Sequence, residues 1–252
     1  MITKKSPRIL ALIPAYNEER FVAAVVKEAS TYLPVLVVDD GSKDDTAFQA
    51  GEAGAEVLLQ IPNRGKGAAL REGFRLALAQ GYDAVITLDA DGQHDPKEIP
   101  TFIQEYISRQ PDLIIGQRDF SIMPIVRKMS NTIGTHLFSW AVKQAIPDNQ
   151  CGYRLVNRRL MLELLEPTEQ GYEFEVEMIV KCIQFHFTLD WVHVRTIYGD
   201  EISHINPLKH GVKFIQMSLR ARKMLSKARK TGVHKPRISS HQKSETVLLQ
   251  SK

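Results

Sequence analysis

Two aspartates one residue apart, Asp89 and Asp91, close the apolar run Ala84-Val85-Ile86-Thr87-Leu88 and lead into Gly92-Gln93-His94. On an extended segment alternate side chains point the same way, so both carboxylates can face one site. Carboxylates that close repel unless a cation or protons sit between them. Oxygen ligands suit Mg²⁺ or Mn²⁺, and Mg²⁺ is commonly held by one or two carboxylates together with substrate phosphates. The chemistry implied is a divalent metal binding a phosphorylated substrate. The same Asp-x-Asp-Gly string also makes ordinary turns, and local spacing alone does not separate the two.

Other candidate groups fall at similar places. Pro14-Ala15-Tyr16-Asn17-Glu18 and Asp39-Asp40-Gly41-Ser42 each follow an apolar run. Tyr16, Glu18 and Asp39 could contact a base or ribose, although Asn17 and Glu18 also suit a helix entry and Asp40-Gly41-Ser42 a turn. Asn63-Arg64-Gly65-Lys66-Gly67 precedes a helical pattern and could hold an anion through backbone amides and Lys66. It departs from the G-x-x-x-x-G-K-[ST] phosphate loop, which argues against a nucleotide hydrolase. Arg118 and Arg127 could neutralise a diphosphate or an anionic acceptor, or simply face solvent. The eight histidines form no H-x-x-H or H-E-x-x-H array, so a zinc enzyme is not indicated. His94 fits turn structure as well as ligation, and Gln93 is the better oxygen ligand for a hard cation.

The elements that must position these groups alternate. Apolar runs at Arg8–Ile13, Val35–Val38, Val57–Ile61, Ala84–Leu88 and Asp112–Ile115 read as strands. Helical patterns at Glu18–Tyr32, Asp44–Ala53, Lys66–Gln80 and Pro96–Arg109 lie between them, the last with a first-turn proline behind Asp95. This alternation predicts a mostly parallel sheet covered on both faces, with ligands bound outside the carboxyl ends of the strands. The second half reads as helices at Met129–Gln144, Arg158–Leu165 and Glu173–Phe185, a strand at Thr188–Thr196, and a basic helix at Leu208–Ala228.

At 252 residues the chain suits one α/β domain with a small appendage. Two cysteines, Cys151 and Cys182, make no disulfide framework, and no apolar stretch reaches membrane-spanning length. A cytoplasmic protein is expected. Its net charge of +4 conceals a division: residues 209–252 carry twelve Lys/Arg and one acid, Glu245, leaving 21 basic and 28 acidic residues (33 less 12, and 29 less 1) in 1–208. A basic terminus on an acidic body suits an anionic surface, or a solvated tail. No DNA-reading motif or aromatic-rich basic patch is present, so no nucleic acid is expected as partner.

Taken together, Ile13-Pro14-Ala15-Tyr16-Asn17-Glu18, Val37-Val38-Asp39-Asp40-Gly41-Ser42 and Asp89-Ala90-Asp91-Gly92-Gln93-His94 resemble glycosyltransferase family 2. Gly116-Gln117-Arg118, Cys151-Gly152-Tyr153-Arg154 and Gly171-Tyr172-Glu173-Phe174-Glu175-Val176-Glu177 resemble its polyprenyl-phosphate, dolichyl-phosphate mannosyltransferase-like branch. The resemblance runs from about Ile9 to Pro207. It implies a GT-A-type, Rossmann-like, mostly parallel sheet with helices on both faces, transferring a sugar from a nucleotide diphosphate with inversion. It further implies that Pro14, Tyr16, Glu18, Asp39, Lys66 and Asp89 hold the nucleotide sugar, of the GDP-mannose or UDP-glucose type. Asp89, Asp91 and Gln93 would hold Mg²⁺ or Mn²⁺, and Asp91, Arg118 and Arg127 would act in catalysis.

Many members acting on sugar hydroxyls carry a Glu-Asp or similar acid pair as base, and this chain has no Glu-Asp dipeptide. A phosphate acceptor is already an anion and needs no base. A polyprenyl phosphate acceptor is therefore expected. The expected organisation is a catalytic domain over 1–207, a basic amphipathic helix over 208–230 and a disordered tail over 231–252. Leu208, Val212, Phe214, Ile215, Met217 and Leu219 make that helix either an interfacial contact at the inner face of the membrane or a helix packed on the core. The rival readings are the same fold acting on a soluble or saccharide hydroxyl, and a non-catalytic nucleotide-sugar or nucleic-acid binding protein.

Overall fold

The computed structural model describes residues 6–120, 125–166, 174–195 and 207–231; for 125–127, 207–213 and 229–231 it describes the backbone alone. The Gly171-Tyr172-Glu173 part of the Gly171–Glu177 motif and the 232–252 tail lie outside the described residues.

A seven-stranded sheet forms the centre, in the order β3-β2-β1-β4-β6-β5-β7. The strands are β1 (Ile9–Ala15), β2 (Val35–Asp39), β3 (Glu56–Leu59), β4 (Ala84–Thr87), β5 (Leu113–Arg118), β6 (Arg154–Asn157) and β7 (Leu189–Val194). Every residue of β1, β2, β4 and β6 is buried, at both parities, so both faces of the central sheet are covered. The β1 run of Ile, Leu and Ala supplies that two-sided apolarity, and α3 (Lys66–Ala79) packs across it. A Cβ at Gly73 of α3 would stand 2.4 Å from Leu12 Cδ1, so helix and strand approach as closely as glycine permits.

Strands β1 to β4 pair in parallel, whereas β6 runs antiparallel between β4 and β5. Sequence alternation did not anticipate β6, because four residues headed by arginine carry no strand signature. Its consequence is positional. The carboxyl ends of β1, β2, β4 and β5 and the amino end of β6 all meet at one edge of the sheet. The chain moves outward from β1 to β2 and β3, then returns to β4 on the other side of β1. The crevice of a doubly wound sheet lies at this reversal.

Around the sheet lie α1 (Val22–Ala29), α2 (Thr46–Glu52), α3, α4 (Ile99–Arg109), α5 (Ile125–Val142), α6 (Arg158–Leu164), α7 (Phe174–Gln184) and α8 (Pro207–Thr231). α1 starts later than the Glu18 entry expected for it. The Pro96–Arg109 segment opens with a single 3₁₀ turn, capped by the Asp95 carboxylate on the Lys97 N–H at 3.0 Å, before α4 begins. On α8, Met217, Ala221 and Leu225 are buried, while Ile215 and Leu219 are about half exposed. The helix is thus both packed on the core and apolar on its outer side. Among the described residues no helix is long and apolar enough to cross a membrane.

Candidate active site

The loops after β1 and β2 are stitched into one platform. Asn17, at a positive φ of 56°, does not cap α1. Its N–H instead donates to Ser42 Oγ at 2.9 Å, and its Oδ1 accepts the Lys43 N–H at 2.8 Å. The Glu18 N–H donates to Thr46 Oγ1 at 2.7 Å. This lattice fixes Tyr16 and Glu18 relative to β2.

Asp39 and Asp40 divide the work. Asp40 accepts the Arg64 N–H at 2.8 Å, the Gly65 N–H at 2.7 Å and the Gln60 side-chain amide. Two backbone amides of the loop before α3 thus serve an internal carboxylate and not an external anion. Gly41 is required between these loops: its φ is +75°, and a Cβ there would lie 3.0 Å from the Asn63 nitrogen. Asp39 is buried, with Oδ1 accepting the Ser42 N–H at 2.8 Å. Its Oδ2 is buried with no partner, a costly state in a finished core and a natural one in a site that awaits a donor.

Beside this platform the β4 end supplies Asp89 and Asp91. Pro14, Tyr16, Glu18, Lys66, Asp89 and Asp91 line one cavity of about 260 Å³. Lys66, the first residue of α3, spans two carboxylates: its Nζ is 2.6 Å from Asp89 Oδ1 and 2.9 Å from Glu175 Oε1. Burial alone would raise the Asp89 pKa, but the Lys66 ammonium, with His94 and Arg118, holds it at about 2. Burial opposes the Lys66 charge, and its two carboxylates override that and raise its pKa. Asp91 Oδ1 accepts the Gln93 N–H at 2.9 Å. His94 is a positioning group: its Nδ1 accepts the Asp89 N–H at 3.0 Å, its ring packs 5.1 Å from Tyr153, and burial lowers its pKa.

Glu175, Asp148, Gly152 and Arg154 complete the surroundings, and residue types alone had not singled them out. Arg154, fully buried, donates to the carbonyls of Cys151 at 2.7 Å, Asn149 at 3.1 Å and Glu175. It thereby docks the amino end of α7, and with it Glu175, against β6. The quoted Cys151–Arg154 and Gly171–Glu177 motifs are the only sequence signal for Gly152, Arg154 and Glu175, and Asp148 has none. Gly152 faces the Lys66–Asp89 pair so closely that a Cβ would lie 3.0 Å from Asp89 Oδ2 and 3.1 Å from Lys66 Nζ. Gly152→Ala is expected to push that pair apart and lower turnover by roughly tenfold, with a melting temperature close to wild type; misplacement of the order of an ångström has such effects.

The remaining expected residues lie less close. Arg118 ends β5, and its guanidinium is held by buried Asp148 through contacts of 2.7 and 3.0 Å. Its charge still helps lower the Asp89 pKa. Gln93 stands in the turn after Asp91 and does not line the cavity. Arg127 lies on α5, and its side chain is outside the described residues. Both cysteines are buried, which pushes the Cys151 thiol up to about 12 and raises Cys182 as well, so neither is a ready nucleophile.

The model of the family described as Glycosyl transferase family 2 matches residues 11–165. Relatives include an undecaprenyl-phosphate mannosyltransferase of Micrococcus luteus, 33% identical over 188 residues, which are 68% of this chain and 76% of the relative. A UDP-N-acetylglucosamine–dolichyl-phosphate N-acetylglucosaminyltransferase of Methanococcus voltae is 29% identical over 218 residues, covering 76% of this chain and 86% of that one. Among solved structures, glucosyl-3-phosphoglycerate synthase from Mycobacterium tuberculosis, in complex with Mn²⁺, UDP and glucosyl-3-phosphoglycerate, superposes with a TM-score of 0.67. That likeness covers 86% of this chain and 80% of the other at 20% identity, and it concerns the fold.

Proposed function

Because the chain belongs to glycosyltransferase family 2, as a glycosyltransferase with the GT-A fold, we propose that it moves a sugar from a nucleotide diphosphate to a polyprenyl phosphate, with inversion. The observation that carries this reading is the cavity at the β1/β4 reversal, where Asp89 and Asp91 stand beside the Lys66 ammonium. The two relatives named above act, by their names, on polyprenyl phosphates with different sugars, which supports the acceptor and leaves the sugar open.

The donor set fits a divalent cation. Two carboxylates line the cavity, one of them held ionised, and among the described residues no three acidic, His or Cys groups form a cage of their own. Such a set suits a cation that draws its other ligands from substrate phosphates and water. Asp89 and Asp91 would hold Mg²⁺ or Mn²⁺, which would neutralise charge on the leaving diphosphate.

The chain's own residues then have distinct tasks. Asp39 Oδ2 accepts a donor from base or ribose, while Pro14, Tyr16 and Glu18 enclose the nucleotide. Lys66 keeps a fixed positive charge at the cavity wall, and Arg118 and Arg127 meet phosphates of donor or acceptor. An oxygen of the acceptor phosphate attacks the anomeric carbon opposite the diphosphate. The new carbon–oxygen bond forms as the bond to the diphosphate breaks, and the nucleoside diphosphate leaves. No proton is removed from the acceptor, so no base is needed. In this reading helix 208–230 keeps the enzyme at the cytoplasmic membrane face, where the acceptor resides.

A donor screen tests the proposal. Purified protein with UDP- and GDP-sugars and Mg²⁺ or Mn²⁺ is expected to release nucleoside diphosphate from one donor class only when polyprenyl phosphate is added. Transfer to hydroxyl acceptors with none to lipid phosphate would overturn it.

A further inference from the structure

We infer that α5 and α8 together form one face that inserts into the headgroup region of an anionic bilayer, with α5 supplying most of its apolar depth. This deepens the membrane-facing part of the reading above, in which the basic helix alone makes the contact.

Along α5, Met129, Ile133, His136 and Trp140 follow at spacings of four, three and four, which places them on one side of the helix. Met129, Ile133 and Trp140 are 60%, 63% and 54% exposed, while Phe138, Ala141 and Val142 face the core. On α8, Ile215 and Leu219 are 49% and 50% exposed one turn apart. The two helices pack against each other beside these stripes. A Cβ at Gly134 of α5 would lie 3.4 Å from the Phe214 ring of α8, and the Arg222 guanidinium sits 4.0 Å over the Trp140 ring. Patches of this kind on a folded domain mark contact surfaces.

Charge says which contact. The 43 residues of these two helices (18 and 25) contain ten Lys/Arg and no Asp or Glu. Lys128, Arg220, Lys223 and Lys227 are exposed on the same two helices. Basic residues around aliphatic side chains and an outward tryptophan are the pattern of a helix lying in a bilayer interface. A second copy of the chain would bring like charges together, which disfavours self-association through this face. The exposed apolar residues at the opposite edge of the sheet, Phe48, Leu59 and Ile61, lie on or beside elements that carry Glu52 and Glu56, which an anionic surface would repel.

Cosedimentation of the full chain with vesicles lacking both acceptor and donor tests this separately from transfer. Vesicles of phosphatidylcholine with phosphatidylglycerol are expected to bind at least roughly tenfold more tightly than phosphatidylcholine alone. Ile133→Asp with Leu219→Asp is expected to weaken that binding by roughly 10- to 100-fold, whereas Phe48→Asp leaves it unchanged. In a Trp191→Phe background, Trp140 emission is expected to shift to the blue on vesicle addition and to be quenched by brominated acyl chains. Unchanged binding by the double variant would overturn the inference. So would an unshifted Trp140, or a dimer that the double variant converts to monomer while vesicle binding persists. If transfer to a short-chain, water-soluble acceptor fails while vesicle binding follows the pattern above, the proposed reaction is wrong and the docking face stands.

Discussion

Asp91→Asn is expected to reduce sugar transfer by about 10³-fold while leaving the melting temperature and vesicle binding as in wild type; at 1.36 kcal/mol per decade this is about 4 kcal/mol of transition-state stabilisation. Asparagine keeps the size of the side chain and an oxygen to accept the Gln93 N–H, now at 2.9 Å. It removes only the negative charge. The charge matters because Asp91 lines the cavity beside Asp89, and a hard divalent cation placed there is held by carboxylate charge that an amide does not supply. A chelator is expected to abolish the wild-type rate, with Mg²⁺ or Mn²⁺ restoring it. The measurement is nucleoside diphosphate release at saturating donor over a metal titration. A variant that stays within tenfold of wild type, at the same metal requirement, would remove Asp91 from the metal site.

How far the sequence revealed this site depended on whether residue type or topology carried the information. Strands β1, β2 and β4 are continuous apolar runs ending in polar residues, so their ends, and the groups on them, could be read directly. Parallel alternation then required those ends to converge, and Pro14, Tyr16, Glu18, Asp89 and Asp91 do share one cavity. Glu175 could not be reached this way. It lies in the first turn of α7, beyond a change of strand direction, and enters the site only because β6 runs backwards and Arg154 ties α7 to it. The roles within Asp39-Asp40 were likewise not separable by type. Both are aspartates at a strand end, and only the hydrogen-bond pattern distinguishes the one that organises the 60–65 loop from the one left with an orphan oxygen. By type and place Lys66 is only a cation near a helix start, but its function here follows from having two carboxylates to hold.

That arrangement makes Lys66→Met the second large prediction. The substitution keeps the length of the stem and deletes the ammonium between Asp89 and Glu175. The two carboxylates then share a poorly solvated space with no cation between them, which favours uptake of a proton by one of them. The Asp89 pKa, now about 2, is expected to rise, because Lys66 is the strongest influence opposing its burial. Turnover is expected to fall by about 10²- to 10³-fold, of the size seen when a charge-stabilising donor is removed. An acid limb is expected to appear in the pH–rate profile at higher pH than in wild type. Stability is expected to fall by only about 1–2 kcal/mol, less than for a fully buried pair, because the Lys66 side chain is 41% exposed. Combining Lys66→Met with Glu175→Gln removes the facing charge, so the double variant is expected to regain most of that stability while its turnover stays low. Urea denaturation and nucleotide release on the four members of this cycle separate the two roles. If turnover returned together with stability, Lys66 would be a structural cation that screens its neighbours, and its expected part in holding the nucleotide sugar would fall.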